Sequence, residues 1–366
     1  DTYSAFLAPL LPLLQFRLGL NYGQLGGLAL FLQLPSLATP FIGYLADRIS
    51  LRYFVIFAPA VTATLMSVLG FAPNYFVVAL LLFATGISVA CFHAPAPAMI
   101  SQVSGRRIGT GMSLFMAGGE LGRTLGPLAV AWGLAYLTAD NFWQLMFVGW
   151  AVTAVLYWRL HDVAARPAGV APAQMAAFWP SARRFFPLLS WVITARMFMI
   201  GALTTFLVVY MSDVLNVDYW LAALSLTILE GAGVAGALLS GTLSDHFGRR
   251  NVLLVLFICA PLLMLAFSFS PTWLALPLLL ALGFTAIAPT PVILAAVQDQ
   301  FPDHRAVANG TYIALNFTIR AVATFAVGLL ADNIGLNTAF SLSALLALTS
   351  LPALWRLPFN TPPANT

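Results

Sequence analysis

Five charged side chains interrupt long apolar stretches of this 366-residue sequence: Glu120, Arg123, Arg196, Glu230 and Arg320. The two glutamates are the only ones in the chain. An arginine guanidinium binds carboxylate, phosphate or phosphonate groups through two parallel hydrogen bonds. A carboxyl group in apolar surroundings can take up or release a proton as its environment changes. The set therefore indicates anion binding coupled to proton exchange.

The arginines are the candidate substrate-binding residues. Arg123 and Arg320 are 197 residues apart, and we expect them to face each other at similar depths in two related halves of the molecule. Arg196 is the third candidate. An alternative is that Glu120 neutralises Arg123 and Glu230 neutralises Arg320. Both interpretations can hold, because a substrate can displace an internal partner.

The carboxyl groups and one histidine are the candidate proton carriers. Glu120 precedes Arg123 by three residues, so both side chains lie on the same face of a helix. Glu230 is the second candidate and Asp1 the third. His93 is a fourth, although a lone histidine at a membrane interface is more often structural than a proton relay.

The composition indicates which secondary-structure elements carry these charged side chains. Hydrophobic residues make up 61% of the chain and charged residues only 8%, with a mean hydropathy of +0.91. Soluble proteins carry about a quarter charged residues, and outer-membrane barrels lack apolar runs of about twenty residues. The sequence therefore predicts an all-α integral membrane protein with twelve transmembrane helices. The predicted spans are 1–20, 24–46, 53–72, 75–99, 109–136, 142–159, 185–212, 218–243, 251–270, 272–298, 308–332 and 337–357.

The loops predict the domains and the orientation. One long connection, 160–184, separates a half at 1–159 from a half at 185–366. Alternate loops carry twelve arginines on one side, and Arg17 alone on the other. Arginine-rich loops stay in the cytoplasm, so we expect both termini and the 160–184 linker to be cytoplasmic. The twelve are Arg48, Arg52, Arg106, Arg107, Arg159, Arg166, Arg183, Arg184, Arg249, Arg250, Arg305 and Arg356.

Other partners are not indicated by the composition. The chain has no lysine, and no block is basic enough to indicate nucleic-acid binding. Cys91 and Cys259 lie in apolar segments without the spacing of a metal site or a disulfide framework. We therefore expect no resident metal, no cofactor and no nucleic-acid partner.

A loop sequence occurs twice, with its copies 198 residues apart. One copy reads Gly43-Tyr44-Leu45-Ala46-Asp47-Arg48-Ile49-Ser50-Leu51-Arg52, and the other reads Gly241-Thr242-Leu243-Ser244-Asp245-His246-Phe247-Gly248-Arg249-Arg250. The motif resembles the loop motif of the major facilitator superfamily, which implies two pseudo-symmetric six-helix halves. Glycine permits close helix packing, aspartate can accept from the amides of a neighbouring helix start, and arginine can bind an acidic partner. We predict that this motif gates one side, unless it only anchors the loop at the headgroups.

A narrower resemblance involves the fourth and fifth spans. Phe92-His93-Ala94-Pro95, followed by Gly118-Gly119, Leu121-Gly122 and Leu125-Gly126-Pro127, resembles the fosmidomycin-resistance group of efflux transporters. Gly126 and Pro127 would form a hinge in the fifth span. A weaker echo in the second half includes Gly328-Leu329-Leu330-Ala331-Asp332.

Together these features predict a monomeric secondary transporter of the bacterial inner membrane. We expect it to export a small anionic or amphipathic organic compound, such as a drug, in exchange for protons. The partners are the substrate, protons and the lipid bilayer, with the proton gradient as driving force. The alternatives are an uptake symporter or exchanger of a metabolite anion and, less favoured, a metal importer or a membrane-embedded enzyme.

Overall fold

A computed structural model describes residues 1–46, 50–104, 108–163, 175–301 and 305–358. Within these ranges the regular structure is helical throughout. We number the spans α1 to α12. They are α1 (Ser4–Leu18), α2 (Tyr22–Gln33, Leu34–Ala38 and Thr39–Ala46), α3 (Arg52–Phe71), α4 (Tyr75–His93 and Ala96–Val103), α5 (Ile108–Tyr136), α6 (Met146–Leu160), α7 (Met175–Gly201, Ala202–Phe206 and Leu207–Asp213), α8 (Tyr219–Phe247), α9 (Arg249–Phe269), α10 (Ala275–Ile287 and Pro289–Gln300), α11 (Arg305–Ile334) and α12 (Leu336–Leu348 and Leu351–Arg356).

The predicted fold class is confirmed by these helices. Eight of the described spans, α3, α4 and α7 to α12, are long and apolar enough to cross a membrane by themselves. The remaining four, α1, α2, α5 and α6, complete two sets of six. The helix of the seventh span begins at Met175, inside the predicted 160–184 linker. Residues 164–174 of that linker lie outside the described ranges.

Besides the break in α12 at residues 349–350, four helices change character part-way along their length. The 3₁₀ segment of α2 contains Pro35, and α4 breaks beside Pro95. In α10 the break precedes Pro289. These prolines lack the amide that would continue the α-helical hydrogen bonds. The fourth change is a π turn in α7 at Ala202–Phe206, and π turns are common at functional sites.

The two halves repeat the same helix contact. A methyl group on Gly86 of α4 would lie 2.2 Å from the carbonyl oxygen of Leu32 in α2. In the second half, a methyl group on Gly283 of α10 would lie 2.1 Å from the carbonyl oxygen of Leu229 in α8. Both residues of the second pair are 197 positions after those of the first. This is the offset between Arg123 and Arg320, so the duplication includes backbone packing as well as the loop motif.

The close approach of α8 to α10 gives a stability prediction. A methyl group on Gly236 of α8 would lie 2.0 Å from the carbonyl oxygen of Phe284, and backbone cannot move aside cheaply. We expect Gly236→Ala to destabilise the fold by about 1–3 kcal/mol, the usual cost of overpacking. The measurement is the thermal unfolding of purified protein in detergent.

Gly241→Ala is the matched control, because Gly241 lies on the same helix and a methyl group there has no neighbour within 4 Å in the described part of the chain. Here the extra methyl should be neutral or stabilise the helix by up to about 1 kcal/mol. Equal melting temperatures for the two variants would contradict the close approach of α8 to α10.

Candidate functional site

The first half brings four of the predicted polar residues together. Arg123 and Glu120 form an ion pair along α5, and both side chains are half-buried. The carboxylate of Asp1 lies 3.3 Å from Nε2 of His93 at the end of the first segment of α4. Its other oxygen would be 2.7 Å from a methyl group on Gly119 of α5. Asp1, His93, Glu120 and Arg123 therefore form one cluster where α1, α4 and α5 meet.

In the second half, Arg320 projects from α11 toward the π turn of α7. One terminal nitrogen of its guanidinium donates a hydrogen bond to Oγ1 of Thr204, at 3.0 Å. Its Nε is buried and has no hydrogen-bond partner within the described part of the chain. Thr204 lies inside the π turn and donates its own hydroxyl proton to the carbonyl of Ile200. The π turn thus presents a neutral oxygen to Arg320, which keeps donors available for a ligand.

Glu230 lies on α8 beside the interface between the two halves. Its neighbour on α8, Gly231, faces α5, where an added methyl would lie 3.4 Å from the side chain of Thr124. The charges that act on the Glu230 carboxylate belong to Arg123, Arg320 and Glu120. In the described ranges Glu230 forms neither an ion pair nor a hydrogen bond. The alternative in which Glu230 directly neutralises Arg320 is thus not the arrangement in this structure.

Arg196 has different surroundings. Its side chain on α7 is only 4% exposed, and one terminal nitrogen donates to the carbonyl of Ala286 and to Oγ1 of Thr290, both at 2.9 Å. These two acceptors lie on either side of the break in α10. Its Nε, like that of Arg320, is buried without a hydrogen-bond partner in the described chain. Arg196 therefore supports an interrupted helix of its own half, and its role in substrate binding stays a prediction.

Two further polar residues on α11 were missed at the sequence level. Tyr312, Asn316 and Arg320 follow one another at intervals of four, so they share one face of the helix. Nδ2 of Asn316 donates to the hydroxyl of Tyr312 at 3.1 Å. The four-residue spacing is visible in the sequence, where the charge of Arg320 is the stronger signal.

The second copy of the loop motif is bound within its own half. Arg249 donates to the Asp245 carboxylate at 3.2 Å and forms an ion pair with Asp299 at the end of α10. Arg250 donates to the carbonyl of Leu357 after α12. Among the described residues, none lies within 4 Å of a methyl group placed on Gly241. This copy therefore ties α8 and α9 to α10 and α12.

The structure describes only part of the first copy of the loop motif. Asp47 and Arg48 lie outside the described residues. Gly43 lies in the last segment of α2, and Arg52, which begins α3, places its guanidinium 5.0 Å from the ring centre of Tyr53. The gating role of the motif stays a prediction.

The predicted hinge is a site of close packing. α5 continues as one helix through Gly126 and Pro127. A methyl group on Gly126 would lie 2.6 Å from Cβ of Ala5 and 2.9 Å from the carbonyl of Thr2. Glycine at this position lets α1 contact α5, while hinge motion stays a prediction.

Among the described residues, no group of three or more histidine, cysteine, aspartate or glutamate side chains could hold a metal ion. The candidate site combines Glu120 and Arg123 from the first half with Glu230 and Arg320 from the second half. Such a mixed set, lying between two related six-helix bundles, is suited to binding and releasing a polar solute within a membrane.

Comparison with known proteins assigns the family. The model of the Major Facilitator Superfamily matches residues 2–285 and 232–366. The chain belongs to the major facilitator superfamily. The resemblance read from the sequence is therefore confirmed, and the protein is a multi-pass membrane transporter of a superfamily that binds small-molecule substrates.

Individual relatives cover nearly the whole chain. The uncharacterized MFS-type transporter YfnC of Bacillus subtilis (strain 168) is 26% identical, over 99% of this chain and 90% of its own. The fosmidomycin resistance protein of Escherichia coli (strain K12) is 24% identical, over 98% and 90%. The crystal structure of the nucleoside transporter NupG superimposes with a TM-score of 0.79 at 13% identity, covering 97% of this superfamily member and 96% of NupG.

Proposed function

We propose that this protein exports a small anionic or amphipathic organic compound from the bacterial cytoplasm in exchange for protons. The observation that carries the proposal is Arg320, whose guanidinium makes one hydrogen bond to a neutral hydroxyl and retains a buried Nε with no partner in the described chain. A buried guanidinium with free donors is suited to an anionic group. The similarity to a fosmidomycin resistance protein favours export.

The substrate would lie between the halves. Arg123 would approach it from α5 and Arg320 from α11, with Glu230 beside both. Arg123 is already paired with Glu120, so an anionic group would bind Arg320 first and reach Arg123 by displacing Glu120. Tyr312 and Asn316 supply further hydrogen-bonding groups on the same face of α11.

The charge balance of this site links the substrate to the direction of transport. With both glutamates ionised, the charges of Glu120, Arg123, Glu230 and Arg320 sum to zero. Adding a proton makes the site positive and strengthens binding of a plain anion, so proton and anion would bind together. This positive coupling between proton binding and anion binding suits symport. Uptake of a metabolite anion is therefore the second candidate function.

Antiport requires the opposite coupling, in which binding of a proton weakens binding of the substrate and binding of the substrate weakens binding of a proton. A substrate meets this condition if it carries a hydrogen-bond donor or a cationic group as well as its anionic group. Its donor would contact the ionised Glu230 carboxylate, and protonation of Glu230 would weaken that bond by removing the negative charge. We therefore propose a substrate that bears both kinds of group.

Taurine and ethanesulfonate are probes that separate the two functions. Both carry a sulfonate that stays ionised between pH 5 and 8, and only taurine carries an ammonium group. Under the export proposal, lowering the pH should weaken taurine binding to the purified protein, and taurine should leave vesicles when the proton gradient points inward. Stronger binding of ethanesulfonate at low pH, with proton-driven uptake, would support the symporter instead. If neither probe binds, the interior anion site is refuted.

We also propose that both termini and the linker face the cytoplasm and that the protein works as a monomer. The arginine distribution supports the orientation. The single bundle of two halves contains both arginines of the site, so a second copy is not needed to complete it.

A further inference from the structure

The start of α2 is capped by a carboxylate from the opposite half. Asp332, near the end of α11, accepts a hydrogen bond from the amide of Tyr22 through Oδ1 and from the amide of Gly23 through Oδ2, both at 2.7 Å. The first amides of a helix have no partner inside the helix and carry its positive end. One aspartate therefore satisfies two of them across the interface between the halves.

The sequence around Asp332 repeats the loop motif at the other end of the bundle. Residues 328–332 read Gly-Leu-Leu-Ala-Asp, and residues 43–47 read Gly-Tyr-Leu-Ala-Asp. A methyl group on Gly328 would lie 2.3 Å from the carbonyl oxygen of Tyr22. The glycine thus admits the neighbouring helix and the aspartate caps it, which is the contact expected for the loop motif but formed at the opposite end.

A second carboxylate joins the halves beside this contact. Asp213, at the end of α7, accepts from the hydroxyl of Tyr22 at 3.0 Å and from Nε2 of Gln15 at 3.3 Å. Tyr22 therefore binds Asp332 through its amide and Asp213 through its side chain. Two different helices of the second half hold the first turn of α2.

We propose that Asp332, with Gly328 and the amides of Tyr22 and Gly23, forms a latch that keeps the two halves closed at the end opposite the arginine-rich loops. We call these four residues the Asp332 latch. Its contacts exist only while α2 and α11 touch at this end, so they stabilise the state that is closed there relative to the state that is open. The latch must break and re-form once in each transport cycle, a consequence that rests on the proposed transport function.

The test measures the distance between the halves in the absence of substrate. Spin labels on Ala139→Cys and Thr272→Cys mark exposed loops of the two halves at the latch end, in a background that lacks Cys91 and Cys259. Double electron–electron resonance in nanodiscs then gives the populations of short and long distances. We expect Asp332→Ala to raise the ratio of long to short by roughly tenfold, as two charge-assisted bonds are lost. Asp332→Asn preserves shape and should give a smaller rise.

Asp218→Ala is the matched control. Asp218 lies at the same end and caps the start of α8 through a 3.1 Å bond from the amide of Leu221, but this contact stays within one half. Its loss should leave the distance distribution unchanged. Gly328→Ala is an independent variant, because its methyl would separate α2 from α11 and should also favour the long distance.

Either of two results would overturn the latch. One is a wild-type distribution in folded Asp332→Ala and Gly328→Ala proteins, and the other is an equal opening caused by Asp218→Ala. Because the measurement uses no substrate and no proton gradient, the latch can fail while the transport proposal stands, and the reverse is also true.

Discussion

Arg320→Lys is expected to weaken binding of an anionic substrate by at least roughly tenfold, although the positive charge is kept. Lysine provides a point charge and cannot bind an anionic group through a planar pair of donors while also holding Thr204. The lysine variant keeps the charge but loses the paired hydrogen bonds to the anionic group. The substrate affinity should therefore fall, while the stability of the fold should not. Equilibrium binding to the purified protein is the measurement, with thermal unfolding recorded alongside.

Two other arginine substitutions make this result interpretable. Arg17→Lys changes an exposed arginine in the last turn of α1 and should bind as the wild type does. Arg123→Lys should lower affinity less than Arg320→Lys, because Arg123 is already engaged by Glu120. Wild-type affinity in Arg320→Lys would reduce this arginine to a structural partner of Thr204.

Glu230→Gln is expected to uncouple substrate movement from the proton gradient. Glutamine has the shape of the protonated acid but cannot exchange a proton, so the variant behaves as if permanently protonated at this position. Substrate should bind more weakly, because the neutral amide oxygen is a poorer acceptor than a carboxylate, but exchange of labelled substrate between the two sides should persist at saturating substrate. Accumulation driven by a pH gradient should fall to the level of a vesicle without a gradient. Reconstituted vesicles measure both quantities in the same preparation.

Glu120→Gln provides the comparison. It removes a carboxylate that is paired with Arg123, so we expect it to free Arg123 and to raise affinity for a plain anion. If Glu230→Gln still accumulates substrate with a gradient and Glu120→Gln does not, the proton carrier is Glu120. If both accumulate substrate normally, the coupling group belongs to the pair of Asp1 and His93.

The global architecture was predictable from the sequence because a bilayer imposes simple rules. Each span needs a long apolar run, and each loop motif marks the end of a helix, so the twelve helices and their division into halves follow from local patterns. The 197-residue offset between Arg123 and Arg320 reappears in the Gly86 and Gly283 contacts. That the two arginines face each other at similar depths stays a prediction.

The partners of each charge were not predictable, because they come from distant helices. Arg196 and Arg320 look alike in the sequence, and each has a buried Nε without a partner in the described chain. They differ in their other contacts, because Arg196 donates to both sides of the break in α10 and Arg320 donates to Thr204 of the π turn. The contacts of the Asp332 latch could not be predicted from the sequence for the same reason. Asp332 was visible as an echo of the loop motif, but its acceptor role depends on Tyr22, 310 residues away in the chain.

The π turn of α7 also has a consequence for insertions and deletions. Relative to an α-helix, a π turn contains one extra residue. Deleting one residue within 202–206 would remove the wider turn and let α7 continue as a regular helix, with the residues beyond it close to their present phase, because the π turn absorbs the extra residue. Asp213 would then stay beside Gln15 and Tyr22, whereas the wider turn that presents Thr204 to Arg320 would be lost. A deletion in the α-helical part of α7 before this turn would instead rotate everything beyond it by about 100° and shift it by about 1.5 Å. The two ends of α7 therefore respond differently to a change in length, depending on whether the change falls inside the π turn.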